Sequence, residues 1–299
     1  MKRIDSHLHI RTREDQDSPD IFLDKLHKAG FDGSILISDH PASFQESFNE
    51  LPRTSEERLE LLMEACKAGP NLYPFYWIDP TEEDAEAQVD RAIQRGVRGF
   101  KVIPNHFFVG EERPMRLWRY IAAKGKPILF HSGILWDWSV SAGYTKPLNF
   151  EPLLFIPGLK FAMAHVSWPW CDEMIALYGK SRFLHRTMGD QAAELFVDLT
   201  PGTPPSFRED VLRKLFCTGY DLSRIMFGSD CSTYDYGTAH TLEWVARDMA
   251  IYEKLGVKQE VIDSVYGGAF LRFIGGEWAK GSYCSALPEL HARADERFL

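Results

Sequence analysis

Eight short apolar runs, each set off from the next by a stretch of helical spacing, constrain this chain of 299 residues more than any other feature. They fall at residues 1–10, 33–39, 72–79, 97–104, 127–133, 159–168, 194–200 and 224–230. Most are continuous rather than alternating, as strands covered on both faces must be. Strand and helix in regular alternation predict a single α/β domain, a (β/α)8 TIM barrel over 1–275, with an aperiodic C-terminal extension over 276–299. An open doubly wound sheet would show the same alternation. Nucleotide binding there needs a glycine-rich phosphate loop after the first strand, and none is present.

Helix punctuation supports the alternation. Ser18-Pro19 predicts a helix start, with Ile21, Phe22, Leu26 and Ala29 on one face and Gly30 as the stop. Thr54 and Glu57 predict a capping box, and Pro114 to Lys124 a helix between strands four and five. Thr238 to Gly256 predicts a long helix burying Leu242, Val245, Met249 and Tyr252, followed by another from Val261 to Phe273.

Charge and cysteine usage narrow the function classes. A net charge of −9 with both signs mixed along the chain offers no basic stripe for nucleic acid and no polybasic membrane patch. The five cysteines, Cys66, Cys171, Cys217, Cys231 and Cys284, are scattered and form no Cys-x-x-Cys pair, so neither a disulfide framework nor a zinc ribbon is expected. With no signal-like segment and no apolar run long enough for a bilayer, the expectation is a cytoplasmic protein acting on a small molecule. The extension, with Trp278 and Tyr283, suits a subunit arm in a homo-oligomer.

In a barrel of this kind, reactive side chains gather at the C-terminal ends of the strands. His7 and His9, two apart in MKRIDSHLHI, share one face of an extended strand, which suits either a metal or ordinary strand decoration. Lys101 lies late in strand four, His131 ends strand five, His165 ends strand six and Asp230 ends strand eight. Imidazoles and a carboxylate converging from separate strand ends would hold a divalent metal with a position open for water.

The motifs DSHLH, FKVIP, FHSG, AHVSWPW and FGSDC, at strands one, four, five, six and eight, resemble the amidohydrolase superfamily. Within it they resemble the amidohydrolase-related branch that includes aminocarboxymuconate-semialdehyde decarboxylase, over nearly the whole barrel. The resemblance implies that His7, His9, His131 and Asp230 hold a divalent metal, one zinc ion with manganese as the alternative, and that His165 contacts the reactive water or substrate. Binuclear members carry a carboxylated, bridging lysine where this chain has Lys101, whereas many members of the favoured branch keep a plain lysine. The expectation is one metal and a plain Lys101, with a buried ion pair to Asp230 as the structural alternative. TatD-like nucleases fit less well, because they carry a glutamate at strand four. Gly268 departs from an asparagine common in the last barrel helix of the family.

Around this core, Arg11, His40 and His106 are candidate substrate contacts, each also readable as an ordinary surface residue. Trp136, Trp138 and Trp168 would wall an apolar pocket for a flat or cyclic substrate, or else pack the loops onto the barrel. The expected chemistry is hydrolysis of an amide, lactone or ester by activated water, with Asp230 as proton acceptor and His165 steadying the oxyanion. Nonoxidative decarboxylation of an aromatic or unsaturated acid uses the same residues and is the alternative. A non-catalytic ligand-binding barrel is the alternative of another class.

Overall fold

The computed structural model describes residues 2–11, 17–44 and 53–276, so the extension beyond Gly276, with Trp278 and Tyr283, lies outside the described residues. The strands are β1 (Ile4–Asp5), β2 (Leu8–His9), β3 (Gly33–Ile37), β4 (Leu72–Trp77), β5 (Gly99–Val102), β6 (Ile128–Phe130), β7 (Lys160–Met163), β8 (Glu194–Asp198), β9 (Ile225–Met226) and β10 (Cys231–Ser232). All pairings are parallel, in the order β10-β2-β3-β4-β5-β6-β7-β8-β9, with β1 also pairing β3. The first barrel strand is broken into β1 and β2 and the eighth into β9 and β10. Because β9 runs on into β10 and β10 pairs with β2, the sheet closes on itself as a TIM barrel.

The breaks on either side of the closing seam have one cause. Asp5 sends its carboxylate into the ladder, accepting from Ser229 N at 2.8 Å, His7 N at 3.3 Å and the Tyr236 hydroxyl at 3.1 Å. A side chain thus takes backbone donors that a regular strand pair would use. Main-chain bonds from Ser6 N to the Phe227 carbonyl (3.0 Å) and from Asp230 N to the His7 carbonyl (2.9 Å) bridge the gap.

The continuous apolar strands are explained by two cores. Ile35, Ile37, Phe75, Leu129, Ala162, Phe196 and Met226 fill the barrel interior, where Phe270 and Phe273 join them. Their neighbours Leu36, Tyr76, Phe130, Phe161 and Val197 point outward against the helices. Each strand therefore needs apolar residues on both faces.

Those helices are α1 (Pro19–Lys28), α2 (Ser55–Ala65), α3 (Ala85–Arg95), α4 (Glu112–Ala123), α5 (Cys171–Met188), α6 (Pro205–Phe216), α7 (Thr238–Lys254), α8 (Gln259–Asp263) and α9 (Ala269–Phe273). Ser18 caps α1 through Ile21 N, and Thr54 and Glu57 form the capping box of α2. Helix α4 starts two residues before Pro114. Helices α8 and α9 are joined through a π-helical turn at Ser264–Gly268.

Two expected helix faces hold except at one residue each: Phe22, Leu26 and Ala29 are buried and Val245, Met249 and Tyr252 pack on the core, but Ile21 and Leu242 do not. Ile21 is exposed rather than packed. In α7 the buried residues are Thr241, Trp244, Asp248, Ile251 and Tyr252, whereas Leu242 faces water. Helix α6 has no counterpart among the helices expected from apolar spacing. Both α6 and α7 bury a charged residue: Arg208 donates from Nε to Asp248 Oδ1 at 2.8 Å and from Nη2 to Oδ2 at 2.6 Å, with both residues fully buried. Nη2 also donates to the Leu199 carbonyl at 2.7 Å, tying both helices to the end of β8. A pattern that scores charge as surface misses α6 and the burial of Asp248 in α7.

A fork-to-fork pair in a dry interior tolerates loss of one member poorly, since the other charge is left buried. Asp248→Asn is expected to cost about 3–5 kcal/mol of stability, read as a lower urea midpoint. Joint replacement by Arg208→Met and Asp248→Leu should recover much of that loss.

Candidate metal centre and active site

The site is built at the seam and at the strand ends beside it. His7 follows the break in strand one and His9 ends β2, yet their Nε2 atoms converge to 3.3 Å. Asp230 follows β9 with a left-handed backbone (φ 59°) that turns the strand. Its Oδ1 lies 3.5 Å from His7 Nε2 and 3.6 Å from His9 Nε2. One donor atom from each of these three residues lies within 4.8 Å of the others, an arrangement able to hold a metal ion.

Their surroundings fix which nitrogen faces the cluster. His7 Nδ1 donates to Asp198 Oδ2 at 2.7 Å, and Asp198 in turn accepts from Thr200 N at 2.7 Å and from the Thr200 hydroxyl. A carboxylate behind an imidazole sets its tautomer and leaves the Nε2 lone pair free for a cation. Gly228 permits this packing, because a Cβ there would sit 2.4 Å from His7 Cβ. The buried Nε2 of His131 has no hydrogen-bond partner among the described residues. An unsatisfied buried acceptor costs about 1–3 kcal/mol, which a bound cation would offset. Three of the four expected ligands, His7, His9 and Asp230, form a cluster that fits a divalent metal, and His131 lies outside it.

His165 does not end a strand as expected. Strand β7 stops at Met163, and His165, Val166 and Ser167 all take left-handed backbone conformations (φ 61°, 48° and 53°). Such strain in non-glycine residues persists only where the surroundings impose it. Here the turn swings the imidazole inward, to 4.8 Å from the His131 ring and 5.5 Å from that of His7, centroid to centroid. Its Nδ1 donates to the Pro201 carbonyl at 2.9 Å. A Cβ on Gly202 would come within 2.7 Å of His165 Cβ and 3.0 Å of its ring atoms.

Burial holds His7, His9 and His131 well below the ordinary histidine range, and the charge of Lys101 adds to this. Burial likewise brings His165 down to about 4, against the opposing pull of Asp198. The imidazoles therefore present lone pairs at neutral pH. Lys101, 1% exposed, sits with Nζ 3.3 Å from His7 Nε2. Burial lowers its pKa, opposed by Asp230 and Asp198. Among the described residues Lys101 makes no salt bridge to Asp230, which instead lies against His7 and His9.

His7, His9, Lys101, His131, His165 and Asp230 line a cavity of about 850 Å³ at the barrel mouth, within the range of small-molecule sites. Arg11, His40 and Trp136 reach it, as do Trp77 and His240, which the sequence reading did not single out. Trp138 and Trp168 do not line the cavity: Trp138 is 87% exposed, and Trp168 packs against the core and faces Phe207. His106 is also absent from the wall, held by Asp79 at 3.3 Å, Asn105 at 2.6 Å and Thr81 at 3.2 Å. Asp198 is the member of the site most clearly missed. Its signal was available, since it is a carboxylate at the C-terminal end of an apolar strand.

A family model described as amidohydrolase matches residues 4–273, the whole described barrel. The chain belongs to the amidohydrolase family. Among solved structures, this family member is similar to an uncharacterized TIM-barrel protein from Bordetella bronchiseptica, at 17% identity and a TM-score of 0.66, covering 92% of this chain and 99% of that one. It is also similar to amidohydrolase 2 from Bifidobacterium longum subsp. infantis (14% identity, TM-score 0.57, 93% and 100% covered). A third similar structure is dihydroorotase from Campylobacter jejuni (14% identity, TM-score 0.56, 93% and 85% covered). Identities this low bear on the fold alone. Among curated proteins, none matches this chain in sequence. No helix among the described residues is long and apolar enough to cross a membrane.

If Asp198 orients His7, then Asp198→Asn weakens divalent-metal binding by about 10–100-fold with the fold retained. Zinc titration against a chromophoric chelator checks this, and wild-type affinity in the variant would refute it.

Proposed function

We propose that this amidohydrolase-family member is a metal-dependent hydrolase that directs an activated water at the carbonyl carbon of an amide, lactone or ester in a small molecule. One observation carries the reading. The donor atoms of His7, His9 and Asp230 converge within 4.8 Å at the cavity floor, and His131 adds a buried Nε2 without a partner among the described residues. One zinc ion, or manganese in its place, held by these four residues would supply the Lewis acid that brings the pKa of water toward neutrality.

The protein's own groups do the rest. Asp198 keeps His7 in the tautomer whose lone pair is on Nε2. Asp230 takes the proton of the attacking water and returns it to the leaving group. His165 has its Nδ1 proton engaged by Pro201, so its neutral ring offers a lone pair at Nε2. It therefore accepts a hydrogen bond from the water or substrate, where the sequence reading had it steady an oxyanion. Lys101 stays an uncarboxylated amine outside the ligand set.

Elemental analysis of protein purified without added metal is expected to find about one equivalent of zinc or manganese per chain, lost in His7→Ala. Two equivalents would mean a carboxylated Lys101 and a second ion. No metal, even after reconstitution, would sink the proposal. With a substrate in hand, Asp230→Asn should lower turnover by about 10²–10⁴-fold while the circular dichroism spectrum is unchanged. Carbon dioxide release without hydrolysis would assign the decarboxylase chemistry instead.

A further inference from the structure

Lys101 and His131 come from the third-to-fifth-strand side of the cavity, and the wall that continues from them is apolar, whereas the wall from the eighth and first strands mixes Ile10 and Cys231 with polar groups. Trp77 ends β4, Ile103 follows β5, and Ile134, Leu135 and Trp136 follow β6. These elements are the third, fourth and fifth strands of the barrel and form one contiguous arc. The facing arc, made by the eighth and first strands, brings Arg11, Ser232, Asp235 and His240 to the same cavity. In an eight-stranded ring the fourth strand stands opposite the eighth, so this apolar wall faces the arc that carries His7, His9 and Asp230.

The apolar arc is built as a rigid wall. The Trp77 indole is held edge-on by His9 (5.9 Å, 63°) and His40 (6.3 Å, 73°) and packs against Phe44 at 4.7 Å. It is 6% exposed and cannot readily turn away. At the outer end of the same arc, Trp136 lines the cavity yet is 80% exposed. A flat ring lying along the arc would cover it.

We infer that the substrate carries a flat, apolar ring on one side of its reacting carbonyl, seated against Trp77, Ile103, Leu135 and Trp136, and a hydrogen-bonding polar group on the other, facing Arg11 and His240. The inference rests on the hydrolase reading for the position of the carbonyl. The wall itself is set by the strands. A compound with a short alkyl group in place of the ring leaves the arc wet and binds more weakly.

Two hydroxamates that chelate a divalent ion through the same group test this. Acetohydroxamate carries a methyl group and benzohydroxamate a phenyl ring; both are titrated by calorimetry into zinc-loaded protein. Benzohydroxamate is expected to bind at least tenfold tighter. The ratio of the two affinities should fall threefold or more in Trp77→Leu and, separately, in Leu135→Asn, whose site is a half-buried loop position. Zinc uptake without a phenyl preference, or a preference that survives both substitutions, overturns this inference and leaves the hydrolase reading standing. Failure to take up either zinc or manganese overturns the hydrolase reading and this one with it.

Discussion

The seam between the first and eighth strands is the constraint on which the rest of the molecule depends. A barrel closes only if its last strand finds its first, and here the two meet through Asp5, a buried carboxylate that takes main-chain donors from both sides of the gap. The interruption releases His7 and Asp230 from strict strand geometry. The same seam keeps them close, because Asp230 N donates to the His7 carbonyl at 2.9 Å. Closure of the sheet and assembly of the donor cluster are therefore one event.

Polar groups in the interior recur as a second theme, and each is held by specific partners. Arg208 and Asp248 neutralise each other while joining α6, α7 and the end of β8. Asp198, at the end of that strand, supports His7. The two clusters sit at consecutive positions, since the Leu199 carbonyl accepts from Arg208 while the Asp198 side chain accepts from His7. Helix packing on the outside of the barrel thus bears directly on the strand end that orients an imidazole inside it.

Much of this was legible in one dimension. Apolar runs covered on both faces are distinctive, and caps such as Ser18 and the Thr54–Glu57 pair rest on local hydrogen bonds that short segments already specify. The positions of His7, His9, His131 and Asp230 at strand ends could be read because a barrel presents strand ends at one mouth. Helix α6 and the burial of Asp248 in α7 could not, because Arg208 reads as surface until Asp248 is found opposite it, 40 residues away. Trp138, Trp168 and His106 looked like cavity residues because loop membership is visible in sequence, whereas the direction of a loop side chain is not.

The sequence by itself determined the element order, the barrel and the set of strand-end groups, since these follow from periodicity and from residue chemistry at short range. Tertiary structure decided what those groups do to one another. The left-handed turn that carries His165 inward, the Asp198 contact that selects the His7 tautomer and the apolar wall of Trp77, Ile103 and Leu135 all join residues far apart in the chain. Their geometry exists only once the ring of strands has closed, because closure is what sets the distances across it.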